Sequence, residues 1–258
     1  DMSTPIKSIN DDKTITTEYC SKYGFKEGGY YYFFNVLEEL DAPGEYYIDR
    51  DSGILYFYPP DENENSKIML STSNENIISI TEKASNITVD GLTLQGTRAD
   101  ALNVAGENCK IVNCTVKNAA DCGINVSGKN NLVENCEVAF IGKDAVVLSG
   151  GSAEGFVYGS NTVTNNSLHD YGEIQKTYIA GVNLSGIGNV VSHNEIYNAP
   201  HMGVYYTGNE NVVEYNYIHD VVLQSSDAGA IYTGYSYSTY GNVCLLYTSD
   251  AADDLIGV

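Results

Sequence analysis

Basic residues are scarce in this 258-residue chain: 13 Lys and Arg stand against 34 Asp and Glu, for a formal charge of −21 and a pI near 4.3. A chain this acidic lacks the cationic footprint that nucleic acid or an anionic membrane surface needs, so neither is expected as a partner. No run of 18 apolar residues occurs, and no membrane span is expected. The six Cys form no paired C-x-x-C units, and no Cys or His spacing supports a metal site, so neither a metal nor another cofactor is expected. The 3.6-residue apolar period of a helix is also missing.

What the chain has instead is a recurring phrase. Gly123-Ile-Asn-Val-Ser-Gly128, Asp144-Ala-Val-Val-Leu-Ser-Gly150, Ala180-Gly-Val-Asn-Leu-Ser-Gly186, Met202-Gly-Val-Tyr-Tyr-Thr-Gly208 and Ala228-Gly-Ala-Ile-Tyr-Thr-Gly234 repeat one pattern. From Gly106 onward the closing glycines are spaced 22, 22, 36, 22 and 26 apart, a 22-residue period with insertions. Within each phrase Leu102/Val104, Ile124/Val126, Val146/Leu148, Val182/Leu184 and Val204/Tyr206 share one parity, as in a strand with one buried face. Asn103, Asn125, Val147, Asn183, Tyr205 and Ile231 take the other parity and are expected outside. A second phrase sets an inward residue two before an aliphatic: Leu92/Leu94, Cys114/Val116, Cys136/Val138, Asn166/Leu168, Asn194/Ile196 and Asn216/Ile218. Two or three short strands per period predict an all-β, right-handed parallel β-helix, with Asn166, Asn194 and Asn216 as an internal amide ladder. Cys114 and Cys136 share that column, where small buried hydrophobes fit as well as a disulfide does.

Residues 1–80 lack the period and are expected to form a β-rich flanking or capping region, with a hairpin around Asp51-Ser-Gly53. Residues 81–243 are the expected coils. From Cys244 the chain resembles an in-frame translation of a transposase sequencing adapter, so 244–258 are expected to be foreign and the gene cut mid-coil; without its three Asp the charge is −18 rather than −21. Spacing places the insertions at 171–178 and 221–226, at one corner of the coil, and at 151–160, at another.

Seven residues before the closing glycines stand Ala99, Asp121, Lys143, Ile179, His201 and Asp227. His201 and Asp227 are therefore expected in register on adjacent coils, on the outward side with Tyr205, between the 171–178 and 221–226 insertions. A carboxylate, an imidazole and tyrosine faces suit a sugar site, with Asp227 and His201 as catalytic candidates and Tyr205, Tyr235 and His219 as substrate-binding candidates. The competing interpretation is a turn-capping Asp227 beside a solvated His201. A rival patch places His169, Tyr197 and His219 in one outer column, with Glu195 and Tyr217 in the next.

The phrases Pro43-Gly-Glu-Tyr-Tyr-Ile-Asp49, Gly53-Ile-Leu-Tyr-Phe-Tyr-Pro59, Val89-Asp-Gly-Leu-Thr-Leu94, Glu214-Tyr-Asn-Tyr-Ile-His-Asp220 and Ser226-Asp-Ala-Gly-Ala-Ile-Tyr-Thr-Gly234 resemble β-helix enzymes of bacterial carbohydrate catabolism similar to glycoside hydrolase family 141. The resemblance implies exo-acting cleavage of plant or host glycans, of the α-L-fucosidase or xylanase kind, by two acidic residues. Asp227 matches one of them, and the second is expected in a later coil, so the fragment alone is expected to be inactive. An Arg expected soon after the motif is absent, with Tyr235 following Gly234. An extracellular or periplasmic location follows from the same resemblance. Lys176 is the last basic residue, which favours a neutral oligo- or polysaccharide over a polyuronate. A β-helix polysaccharide lyase and a non-catalytic glycan-binding or adhesive solenoid are the alternatives.

Overall fold

The computed structural model describes residues 3–20, 24, 25, 27–29, 31–60, 68–234 and 237–245, and the backbone of 248–250. The chain divides into two units, Asp1–Met69 and Leu70–Val258. In the first, Tyr46–Asp49 and Ile54–Phe57 pair antiparallel around the Asp-Ser-Gly turn. The Asn35 amide donates to the Ile48 carbonyl at 3.0 Å and accepts its N–H at 2.8 Å, tying the preceding segment to this hairpin. A second antiparallel pair joins Ile6–Ile9 to Ile15–Thr17.

The second unit is a right-handed parallel β-helix with three seven-stranded sheets. Sheet I contains Thr93–Thr97, Thr115–Ala119, Glu137–Ile141, Ser167–Tyr171, Glu195–Tyr197, Tyr217–His219 and Thr248–Asp250. Sheet II contains Ile78–Ile80, Leu102–Val104, Ile124–Val126, Val146–Leu148, Ala180–Leu184, Met202–Tyr206 and Ile231–Tyr232, and sheet III runs from Thr88–Asp90 to Val243–Leu245. The core is the alternation made solid: Leu102, Val104, Ile124, Val126, Val146, Leu148, Val182, Leu184 and Val204 are fully buried. Sheet I adds Val116, Val138, Leu168, Ile196 and Ile218, and sheet III adds Ile111, Val133, Val163, Val191 and Val213. Leu92 departs from its expected inward place and is 47% exposed. It precedes the edge strand of sheet I, where the stack begins.

From sheet III to sheet I the chain turns through one residue with positive φ: Gly91 at 69°, then Asn113, Asn135, Asn165, His193 and Tyr215 at 53° to 56°. Asn tolerates this conformation, which fits its use in three of the six turns. After the last five, the next residue points inward. Asn166 donates to Asn194 at 2.9 Å and Asn194 to Asn216 at 3.0 Å, and each amide also bonds backbone of the neighbouring coils. Cys136 and Cys114 continue the column as buried free thiols. A second ladder, Asn131, Asn161, Asn189, Asn211 and Asn242, runs between sheets II and III; each carbonyl from Asn161 on accepts the backbone N–H of the Asn one coil earlier.

The insertions sit at the corners given by spacing. The first two lead from sheet I to sheet II, while 151–160 leaves between sheets II and III and folds into its own pair, Gly151–Ser152 with Val157–Tyr158. One register differs from the glycine count. Val204 pairs with Ile231 and Tyr205 with Tyr232, so Ile231 packs on the core and Tyr232 takes the outer position. Gly234 lacks the positive φ of 81° that Gly186 and Gly208 share.

Candidate functional site

The corner between sheets I and II collects the unusual groups. His201 immediately precedes the strand Met202–Tyr206 and is 5% exposed, against the outward placement expected from its parity. The residues from Ala199 to Gly203 turn the corner, where alternation does not hold, and the 171–178 insertion brings the Tyr178 ring to 6.1 Å from the imidazole. Burial holds His201 below the usual histidine range, partly offset by a bond to the Ile179 carbonyl and by the charge of Asp227. Its Nδ1 has no hydrogen-bond partner among the described residues.

Asp227 is exposed, and its Oδ1 accepts from the Tyr232 hydroxyl at 3.4 Å. Because the pairing is one residue later than the glycine count, Asp227 is not directly opposite His201, though its charge acts on the ring. The Tyr232 ring stacks on Tyr205 with centroids 6.4 Å apart, linking Asp227 to the outer face of sheet II. One coil earlier, Asn183 pairs with Tyr205, and its amide donates to Asp144 Oδ1 at 3.4 Å. The same oxygen accepts the Ala180 N–H at 2.7 Å. Burial pushes Asp144 up to about 6 from 3.8.

The candidates thus separate. His201, Tyr205 and Asp227 gather at the I–II corner and the adjoining outer face. His219 belongs to the outer face of sheet I, where it stacks on Tyr197 at 4.9 Å and on Tyr217 at 4.5 Å. Tyr235 lies outside the described residues. A cleft of about 310 Å³ lined by Tyr206, Thr233, Gly234, Tyr240 and Asn242, among others, lies at the opposite end of the sheet II strands and contains none of the described candidates.

With this geometry in place, comparison with known proteins places the fold. Residues 61–174 match the family model of the right-handed β-helix region. A solved structure described as a glycoside hydrolase aligns with a TM-score of 0.65 at 18% identity, covering 83% of this chain and 49% of its own, so this chain spans about half its length. The enzymatically active domain of tailspike protein 2 from bacteriophage CBA120 aligns with a TM-score of 0.46 at 12% identity, over 68% of this chain and 32% of its own. The A-module of a mannuronan C-5 epimerase from Azotobacter vinelandii aligns with a TM-score of 0.41 at 16% identity, over 67% of this chain and 56% of its own. No curated protein sequence matches.

Three residues of this β-helix corner escaped the sequence reading. Tyr232 was hidden by the one-residue register change, although its phrase was conspicuous. Tyr178 lay in an insertion whose position, but not whose direction, spacing revealed. Asp144 opens a repeat phrase, yet nothing in its neighbours along the chain signals burial. Asp144 pairs in position with Ala180, and Ala180 with Met202, so it sits about three coils, or about 14 Å, from the Asp227 end. That exceeds the carboxyl separation of a glycosidase pair, roughly 5–9.5 Å, so Asp144 is not the partner acid of Asp227.

Proposed function

We propose that this chain forms part of a glycan-cleaving β-helix enzyme acting on a neutral plant or host saccharide, with Asp227 as one catalytic carboxyl and His201 beside it. The observation carrying this is the alignment of Tyr205, Tyr232 and Asp227 beside a buried imidazole with a bare Nδ1. Aromatic rings cover apolar sugar faces, and a carboxyl beside them can act as acid, base or nucleophile. The fold-level likeness to a structure described as a glycoside hydrolase supports the reading by analogy. Glycan cleavage also fits an extracellular or periplasmic location. From Thr177 onward the sequence has no Lys or Arg to neutralise a polyuronate or serve as a lyase base, which favours hydrolysis of a neutral glycan.

A second reading rests on the exposure of Asp227: a solenoid that binds glycans without cleaving them, with Asp227 serving only to bond Tyr232. Affinity electrophoresis against xylan, fucosylated xyloglucan and polygalacturonate, with release of reducing ends from each, tests both. Retardation by the neutral glycans only is expected, weakened by Tyr205→Ala. Asp227→Asn is expected to keep binding and abolish cleavage in the complete gene product. Unchanged cleavage in that variant would remove Asp227 from the chemistry, and retardation by polygalacturonate alone would overturn the neutral-substrate reading.

A further inference from the structure

The outer face of sheet I carries a second arrangement, which occurs twice. Ala139, His169, Tyr197 and His219 occupy one column by strand register, and Glu137, Ser167, Glu195 and Tyr217 occupy the column beside it. The rings stand nearly parallel: His169 to Tyr197 is 4.7 Å at 15°, and Tyr197 to His219 is 4.9 Å at 5°. Each histidine is followed by an aspartate with positive φ, Asp170 at 50° and Asp220 at 48°. Their carboxylates meet the preceding imidazole at Nδ1, at 2.6 Å and 2.9 Å. A carboxylate only accepts, so Nδ1 carries the hydrogen of that bond and Nε2 is the ring nitrogen left to ligate.

In both places Nε2 faces a second carboxylate. His169 Nε2 lies 3.6 Å from Glu137 Oε1, and His219 Nε2 lies 3.4 Å from Glu195 Oε1. The first is beyond hydrogen-bond reach, and the second is a hydrogen bond at its long limit when Nε2 carries a proton. Both separations match a metal bite: an imidazole nitrogen and a carboxylate oxygen each about 2.1 Å from a tetrahedral zinc ion stand about 3.4 Å apart. The Nδ1–carboxylate bond is the arrangement that fixes tautomer and ring direction in metal-binding histidines.

We propose that the outer face of sheet I holds a duplicated site for a divalent transition ion of the zinc class, ligated by His169 with Glu137 and, two coils on, by His219 with Glu195. Imidazole selects such ions over calcium or magnesium. Asp170 and Asp220 are positioning residues, and Asp170 is itself held by the Asn198 amide. Two protein ligands leave positions open for water or a hydroxyl-bearing ligand. Asp100, Asp121 and Cys122 also bring ligand atoms within 4.8 Å of one another. There, however, Lys143 takes Asp121 at 2.8 Å and the Cys122 N–H takes Asp100 at 3.0 Å.

Titrating the full chain with Zn²⁺ by calorimetry at neutral pH, and with Co²⁺ by absorption, tests the proposal independently of any glycan activity. Two ions per chain are expected, with a cobalt spectrum free of thiolate charge transfer. His169→Ala and His219→Ala should each remove one ion. Glu137→Gln, at an exposed position, and Asp170→Asn should each weaken one site by about tenfold or more. No binding, a thiolate band, or two ions retained in the Glu137→Gln/Glu195→Gln double variant would overturn it.

Discussion

The coils before Gly150 and those after it share one backbone but not one way of holding it. Early coils keep the 22-residue spacing, fill the I–III corner column with Cys114 and Cys136, and present Asn103, Asn125 and Val147 on the outer face of sheet II. Their thiols sit 3.2–3.7 Å from backbone carbonyls, contacts that are weak. Later coils carry two insertions at the I–II corner, fill the column with Asn166, Asn194 and Asn216, and turn Tyr205 and Tyr232 outward. Amides that bond up and down the stack hold register where the connecting chain varies in length. The difference teaches that ladder strength rises in the coils that carry the candidate site.

The largest break in this contrast is Asn194→Ala. It strips partners from Asn166, Asn216 and the Val163 carbonyl, all buried, and should cost about 3–4 kcal/mol at one to three per unsatisfied group after relaxation. Cys114→Ala, in the same column, should cost only about 1 kcal/mol, the worth of one small apolar group. Urea denaturation of both decides, and equal losses would erase the distinction between the two ladder segments.

Asp144→Asn sharpens the boundary between the regions, because Asp144 reaches across it to Ala180. Its raised value of about 6 means that the folded chain holds the proton more tightly than the unfolded chain, whose value is near 3.8. That advantage is complete below about pH 4 and lost as pH rises through 6. Asn keeps an acceptor for the Ala180 N–H without the charge. The stability of the variant relative to wild type should therefore rise by roughly 2–3 kcal/mol between about pH 4 and pH 7. A difference independent of pH would show that Asp144 is not strained by burial.

Gly181→Ala probes packing in the later coils, since a Cβ there would stand 2.4 Å from Ile196 Cγ2 and 2.9 Å from the Gly203 carbonyl. A loss of about 1–3 kcal/mol is expected from overpacking. The melting temperature of this variant checks it. His201→Gln should have the smallest effect. Burial depresses His201, so its contribution is present above the unfolded value of 6.5 and falls as pH drops below it. The variant should lose less stability than wild type on acidification from pH 7, and parallel pH profiles would contradict this.

Much of the solenoid was legible because its rules are local and repeated. Leu102 and Val104 announce their burial by alternating with Asn103, and Asn166, Asn194 and Asn216 announce a ladder by recurring before an aliphatic pair. The second ladder at Asn131, Asn161, Asn189, Asn211 and Asn242 obeys the same logic but lies in the less regular segment after the closing glycines. His201 was misread as outward because alternation fails where a corner and an inserted loop fold over a residue. Glu195 and His219, 24 residues apart, offer no short metal-ligand spacing. Only stacking brings their ligand atoms together.

What the sequence by itself determined is the coil: its period, the parity of its buried face, the places where chain is inserted and the composition of its inner columns. These follow from apolar residues needing cover at every second position and from amides needing partners once buried. Tertiary structure decided the register at Tyr205 and Tyr232, the burial of His201 and Asp144, and the separation of His219 from Asp227 onto different faces. Those depend on where an insertion lands and on which coil a strand pairs with, and residues adjacent in space but distant along the chain set both.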